Sequence, residues 1–247
     1  MLRSLRTRKG RDETGLFLAE GVRLCEELLA SGLPVETALV SEAALADRRT
    51  AELIRRLTAA SVPMAEAAPR DFERVSDTVN SQGIAIAARA PETRLEEIVF
   101  SDRATVLALD GVADPGNVGT AVRTAAWFGA AAVLLGRGCA DLLNPKTVRA
   151  TMGGMFHLPV CRDADLPDAL RFLKQAGFRV TAAAMDGSPE WRGWRGAKRS
   201  ALLLGSEARG ITRQAAALAD ETVAIPRRGA GESLNVAVAV GVLLADE

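Results

Sequence analysis

Apolar and polar positions along the chain fall into two stretches of different rhythm. In the first, Phe17–Gly21 reads as a short strand. It leads into a helix on which Val22, Cys25, Leu28 and Leu29 recur at helical spacing until Gly32 and Pro34 end it. Thr37–Ser41 predicts a strand, and Ala43–Ala60 a helix carrying Leu45, Leu53, Ile54 and Leu57. Val62–Ala65 predicts a short strand, Arg70–Val75 a short helix and Ile84–Ala88 a strand. Residues 89–103 are polar and contain Pro91, which reads as a joint. The resulting boundaries are a first domain over 1–92, a linker over 93–103 and a second domain over 104–247.

The second stretch alternates more cleanly. Strand-like runs at Thr105–Leu109, Ala132–Leu135, Phe178–Ala183, Ala201–Leu204 and Thr222–Ile225 are separated by helical runs at Val118–Phe128, Pro145–Met152, Leu166–Gln175 and Arg213–Leu218. This β–α alternation predicts an α/β fold, a parallel sheet covered by helices. Ligands in such sheets sit beyond the carboxyl ends of the strands, so the loops after Leu109, Leu204 and Ile225 are where chemistry belongs. The last helix, Leu234–Leu244, is apolar on every face. It demands burial all round, in a deep slot, against a partner subunit, or both.

Each of those three loops has a distinctive composition. After Leu109 comes Asp110-Gly-Val-Ala-Asp114-Pro115-Gly116-Asn117-Val-Gly119-Thr-Ala-Val-Arg123. It reads as a turn into a helix that starts near Asn117, with Gly116 and Gly119 allowing close backbone approach. Arg123 is close to two turns further on, so it and Asn117 are expected to point the same way. A β–α turn with Asn117 as cap and Arg123 as a surface cation explains the same residues. The second loop, Gly205-Ser206-Glu207, follows a buried strand; Gly205 is expected to leave room for a flat ligand and Glu207 supplies a carboxylate at the mouth. An ordinary turn with a solvated Glu207 is the plain alternative. The third loop, Ile225-Pro-Arg-Arg-Gly-Ala-Gly-Glu-Ser233-Leu234-Asn235, is glycine-rich and dibasic and opens the apolar helix. Free N–H groups there attract carboxylate or phosphate; equally, Ser233 caps the helix and Asn235 satisfies nearby backbone.

Composition narrows the partners. A zero net charge says nothing for nucleic acid, but residues 1–11 carry Arg3, Arg6, Arg8, Lys9 and Arg11 and no acid. That is a basic arm suited to phosphates, or a solvated tail. Aromatics are 4% of the chain and Tyr is absent, which disfavours base stacking on aromatic platforms. Trp191 and Trp194, with Arg192 and Arg195, suit either RNA stacking or loop packing. Cys25, Cys139 and Cys161 show neither metal spacing nor a disulfide framework, so no metal is expected and a reducing cytoplasmic setting fits. The first residues lack the apolar core of a signal peptide, and no apolar run is long enough to span a bilayer.

Taken in order, the three loops resemble the motifs of the SpoU-TrmH ribose methyltransferases. DPGNVGTAVR at 114–123 matches a family pattern Asn-Pro-x-Asn-x-Gly-x-x-x-Arg, departing only at Asp114. LLLGSEARGI at 202–211 and IPRRGAGESLNVAVAVGVLL at 225–244 match the second and third motifs, and VRATMGGMFHLPV at 148–160 also looks like the family. FLAEGVRLCEELL, with Gln82-Gly83 before a strand, resembles the ribosomal-protein-like RNA-binding domain of rRNA-modifying members. The likeness runs over most of residues 3–246.

The resemblance implies a knotted, SPOUT-type catalytic domain, a homodimer through that domain, and S-adenosylmethionine as cofactor held at Gly205, Ile225 and Leu234. It implies methylation of a ribose 2′-hydroxyl with Arg123 as the central catalytic residue and Asn117, Glu207, Ser233 and Asn235 orienting it, the ribose and the cofactor. A guanidinium is a poor base, so Arg123 is either that base or a bidentate clamp on the adjacent phosphate. Leu203, Ile225 and Leu234 are expected to wall the adenine. Arg8, Lys9, Arg11 and Arg23 are the candidate RNA contacts. The first domain favours ribosomal RNA as substrate; a tRNA ribose methyltransferase and a non-catalytic RNA-binding or ribosome-assembly protein of the same fold are the alternatives. His157 is expected at a core or edge position rather than in catalysis, and Lys146 and Arg149 as solvated cations.

Overall fold

The computed structural model describes residues 1–188 and 197–245, with Ala43 described by its backbone alone. Trp191, Arg192, Trp194 and Arg195 lie outside the described residues. The chain forms two compact units, residues 1–91 with 141–156, and residues 92–140 with 157–247.

In the first unit a 3-10 turn (Leu2–Arg6) runs into α1 (Arg8–Thr14), capped by Thr7, whose hydroxyl accepts the Gly10 N–H at 3.2 Å. The expected arm is therefore helical, and it corrects one candidate. Arg11 is 3% exposed. Its guanidinium bonds Asp141 at 2.6 and 3.1 Å and the Leu5 carbonyl at 2.8 Å, so it is a buried structural cation and not an RNA contact. The sheet has the order β1 (Leu16–Glu20), β4 (Ile84–Arg89), β2 (Val35–Ser41), β3 (Met64–Ala67), antiparallel except for the parallel β2–β3 pair. Helices α2 (Val22–Ala30), α3 (Arg48–Ala59) and α4 (Pro69–Glu73) accompany it. The single helix predicted over 43–60 is broken, because Asp47 accepts the Thr50 N–H at 2.7 Å and starts α3 behind a separate 3-10 turn (Glu42–Ala46).

Glu20, buried at the end of β1, organises the loop before β4. It accepts the hydroxyls of Ser76, Thr78 and Ser81 and the Asp77 N–H. Such saturation is what makes a buried carboxylate tolerable. Gln82 then caps α2 by accepting the Val22 N–H at 2.9 Å, a task the preceding Gly21 has no side chain to perform. Helix α6 (Pro145–Thr151) packs against β1, and Phe156 meets Phe17 at a centroid distance of 5.9 Å. Arg149, expected in solvent, bonds Asp77 at 2.9 Å.

The second unit is built on a six-stranded, all-parallel sheet of order β10 (Glu221–Val223), β8 (Arg179–Ser188), β9 (Arg199–Gly205), β5 (Ala104–Asp110), β6 (Ala132–Gly136), β7 (Val160–Ala164). Strand β7 lies in a segment where no strand was predicted, because Arg162 and Asp163 interrupt its apolar run. On one face Val106, Ala108, Leu134, Ala201 and Leu203 pack with Leu166, Leu170 and Leu173 of α7 (Leu166–Gln175) and Ala215 of α8 (Arg213–Ala216). Leu95, Ile98 and Phe100, within the expected linker, join this core. The alternate residues Leu107, Leu109, Leu202 and Leu204 are buried towards the other face. Helices α5 (Pro115–Trp127) and α9 (Val236–Leu244) pack on one another, and α9 also packs on β9. Among the described residues, no helix is long and apolar enough to cross a membrane.

Candidate active site

The sheet order decides which loops meet. Strands β5 and β9 are neighbours in register, with Asp110 opposite Gly205, although 94 residues separate those positions in sequence. Both strands end in a turn at the same edge of the sheet, so the loops carrying Asn117 and Glu207 start side by side. The third loop leaves β10 and reaches the start of α9.

Helix α5 begins earlier than the sequence suggests. Asp114 is its N-cap, accepting the Asn117 N–H at 2.8 Å, and Pro115 occupies the first turn. Asp114 at the departing position of the first motif thus keeps a capping oxygen. With the cap supplied by Asp114, the Asn117 side chain is available elsewhere. Its amide donates to Glu207 Oε1 at 2.9 Å, and its Oδ1 accepts from Asn235 Nδ2 at 2.9 Å. Glu207 Oε1 also accepts the Val236 N–H at 3.2 Å and lies 3.5 Å from Asn235 Nδ2. One residue from each of the three loops therefore meets in a single hydrogen-bonded cluster.

The start of α9 is fully engaged by this cluster. Asn235 is the N-cap, its Oδ1 accepting from Ala237 and Val238 at 3.0 and 3.3 Å. With Glu207 on Val236, the first three N–H groups all have partners. The anion expected at this helix start is thus the protein's own carboxylate, favoured by the positive end of the helix dipole. Ser233, weighed as the cap, is exposed, makes no hydrogen bond among the described residues and stands outside the cluster.

Arg123 also stands outside it. The residue is exposed and has no hydrogen bond or ion pair among the described residues. Six positions at about 100° each place it about 120° round the helix from Asn117, so the expected common direction does not hold. It lies instead one turn from Trp127, which is 84% exposed, on the same face of α5.

The residues assigned to the cofactor divide. Ile225 is half-buried and Leu234 is 50% exposed, leaving apolar surface open at the sheet edge. Leu203 is corrected: its side chain is wholly buried in the core with α7 and α8 and can offer a ligand only its backbone. Gly205 is glycine for a different reason from the one expected. A Cβ there would stand 2.0 Å from the Gly210 carbonyl carbon, so the space is filled by the loop folding back. The return is sealed by a bridge between Ser206 and Gly210.

The remaining candidates fall elsewhere. Arg8, Lys9 and Arg23 are exposed in the first unit, Arg8 and Lys9 pairing with Asp12 and Glu13 at 3.7 and 3.8 Å. His157 is exposed, just before β7. Among the described residues no group of three His, Cys, Asp or Glu side chains suits a metal. Sequence reasoning missed Asp114 as the cap and Asp110 as a buried partner of the second loop. The signal for the first was present, since Asp before Pro is a standard helix start.

Residues 104–245 match the model of the SpoU rRNA Methylase family, and residues 1–86 match the MRM3-like substrate binding domain. The 23S rRNA (guanosine(2553)-2'-O)-methyltransferase RlmP of Bacillus subtilis is 35% identical over 98% of this chain and 92% of its own. An AdoMet-bound rRNA methyltransferase from Sinorhizobium meliloti superposes with a TM-score of 0.88 at 31% identity, over 99% of this chain and 91% of that one. The SpoU methyltransferase AviRb from Streptomyces viridochromogenes, in complex with AdoMet, gives 0.88 at 27% identity over 99% and 94%.

Proposed function

Because the chain belongs to the SpoU rRNA methylase family, whose members are S-adenosylmethionine-dependent RNA 2′-O-ribose methyltransferases, we propose that it methylates a ribose 2′-hydroxyl of ribosomal RNA in the cytoplasm. The observation that carries this reading is the cluster of Asn117, Glu207 and Asn235, which joins the three motif loops at one edge of the sheet.

The described residues fit the cofactor. Ile225 and Leu234 provide apolar walls, and the strand end at Gly205 provides backbone groups, the pairing an adenine needs. S-adenosylmethionine, when bound, supplies an electrophilic methyl group, so the protein's task is positioning. Glu207 holds Asn117 and the start of α9 in fixed relation, and Asn117 and Asn235 orient the sugar. Arg123 grips the phosphate next to the target ribose, and an oxygen of that phosphate takes the hydroxyl proton as the ribose oxygen takes the methyl group. Ser233, exposed beside the cluster, contacts substrate or cofactor. The first unit, built on residues 1–91 with 141–156, receives RNA through Arg8, Lys9 and Arg23.

A homodimer completes the site. The apolar α9 leaves Val238 53% exposed, and Trp127 on the adjoining α5 is almost uncovered. A second copy seated over both removes that apolar surface from water. The same contact encloses Arg123, one turn from Trp127, and delivers it towards the cluster of the other protomer. Threading of α9 through a knot accounts for a helix that is apolar on every face. Support for ribosomal over transfer RNA comes from the substrate-binding domain and from the relative that acts on 23S rRNA. Mapping 2′-O-methyl groups in rRNA and tRNA with and without the protein tests the reading: one rRNA ribose should lose its mark, and an unchanged map in both RNAs would exclude it.

A further inference from the structure

The carboxylate that ends β5 belongs to no motif. Asp110 is 6% exposed, and its Oδ2 accepts the backbone N–H of Thr212 at 2.7 Å. We propose that Asp110 is a positioning residue for methyl transfer, pinning the far end of the 205–212 loop and thereby holding Glu207 against Asn117 and the start of α9. This inference rests on the reading of that cluster as the methyl-transfer site.

The loop is held at both ends. Its near end is fixed by the pairing of β5 with β9. The chain then doubles back, with the Gly210 N–H donating to the Ser206 carbonyl at 2.8 Å and the Arg209 N–H to Ser206 Oγ at 3.2 Å. These bonds are internal to the loop and fix its shape but not its place. Two features anchor the return limb to the sheet: Ile211, packed on the core, and the Asp110–Thr212 bond. Thr212 also caps α8, so the bond sets where that helix starts. Glu207 rides between the two anchored ends, and its contacts to Asn117 and Val236 depend on the loop's placement. A buried carboxylate with an N–H partner gives a directional, charge-assisted tie that apolar packing alone does not. Displacement of about 1 Å in such a site costs about a hundredfold in rate.

The test compares full-length wild type with four variants by S-adenosylmethionine titration calorimetry and by amide hydrogen exchange without cofactor. Asp110→Ala removes the acceptor. Thr212→Pro removes the donor, at a residue whose φ of −62° already suits proline. Asp110→Asn keeps an acceptor oxygen, and Thr212→Val loses only the capping hydroxyl. The expected result is cofactor binding weakened at least about tenfold in Asp110→Ala and Thr212→Pro, with faster exchange confined to 206–212. Asp110→Asn should stay within about threefold of wild type and Thr212→Val should match it. Unchanged binding and exchange in the first two variants overturns the proposal. So does acceleration spread over the whole second unit, which would make Asp110 a stability residue only. If wild type itself binds no S-adenosylmethionine, the site reading fails, while the exchange comparison still decides whether Asp110 holds the loop.

Discussion

Asn117 and Glu207, ninety residues apart in sequence, are joined by a 2.9 Å hydrogen bond from the Asn117 amide to Glu207 Oε1. The same oxygen accepts the first N–H of α9, so one carboxylate ties three loops. Replacing it with alanine leaves Asn117, Asn235 and Val236 without that acceptor. Hydrogen bonds to a charged group contribute about 1.5–3 kcal/mol each. Glu207→Ala should lower kcat/KM by about a hundredfold, equivalent to about 2.7 kcal/mol, in steady-state methylation assays.

The exposed face of α5 and α9 makes a prediction about assembly. Sedimentation should give twice the 26.0 kDa mass of one chain. Trp127→Glu places a charge in the proposed interface and should yield a folded monomer, judged by an unchanged circular dichroism spectrum. With Arg123 delivered between protomers, that monomer should also lose at least about 90% of its methylation, a tenfold effect or about 1.4 kcal/mol. A fully active monomer would remove the dimer from the mechanism.

Arg11 separates structure from RNA contact. It is buried against Asp141 and the Leu5 carbonyl. Removing one member of such a pair strands the other, at a cost of about 3 kcal/mol. Arg11→Met should therefore lower Tm by about 6–10 °C, with RNA affinity of the folded protein unchanged. Lys9→Ala, at an exposed position, should leave Tm within about 1 °C, since surface pairs contribute little.

The three thiols should be inert in the native state. Cys25 is wholly buried and its ionisation is pushed far up by that burial and by Glu20. Burial also raises Cys139 and Cys161 from 9.0 to about 11. The folded chain keeps these protons until about pH 11, whereas the unfolded chain releases them from 9.0. Their stabilising contribution is thus complete below pH 9 and is lost as pH rises towards 11. An aromatic disulfide reagent at pH 7.5 should react with no thiol in native protein and with all three after denaturation.

Much of this was legible in the sequence because local patterns and final structure agree. The strand-like runs ending at Leu109 and Leu204 are central, parallel strands, where both faces are buried and apolar continuity is informative. The convergence of the loops could be expected from three motifs in order, though not its geometry. What was not legible depends on contacts distant in sequence. Arg11 looked like part of a basic arm because its partner, Asp141, lies 130 residues away. The role of Gly205 was misjudged because the backbone that fills the space beside it belongs to the return limb at Gly210. Leu203 looked available as a wall, yet strand alternation turns it into the core. The start of α5 was set three residues late because Asn117 competes with Asp114 as a capping residue, and the Pro115 that follows Asp114 decides the matter.

The most direct measurement uses purified protein, S-adenosylmethionine carrying a labelled methyl group, and ribosomal RNA lacking its natural modifications. The account predicts label on a single ribose 2′-oxygen with wild type, and none with Arg123→Ala even though that variant binds the cofactor as wild type does. Label on a base, no transfer by wild type, or near-normal transfer by Arg123→Ala would contradict it.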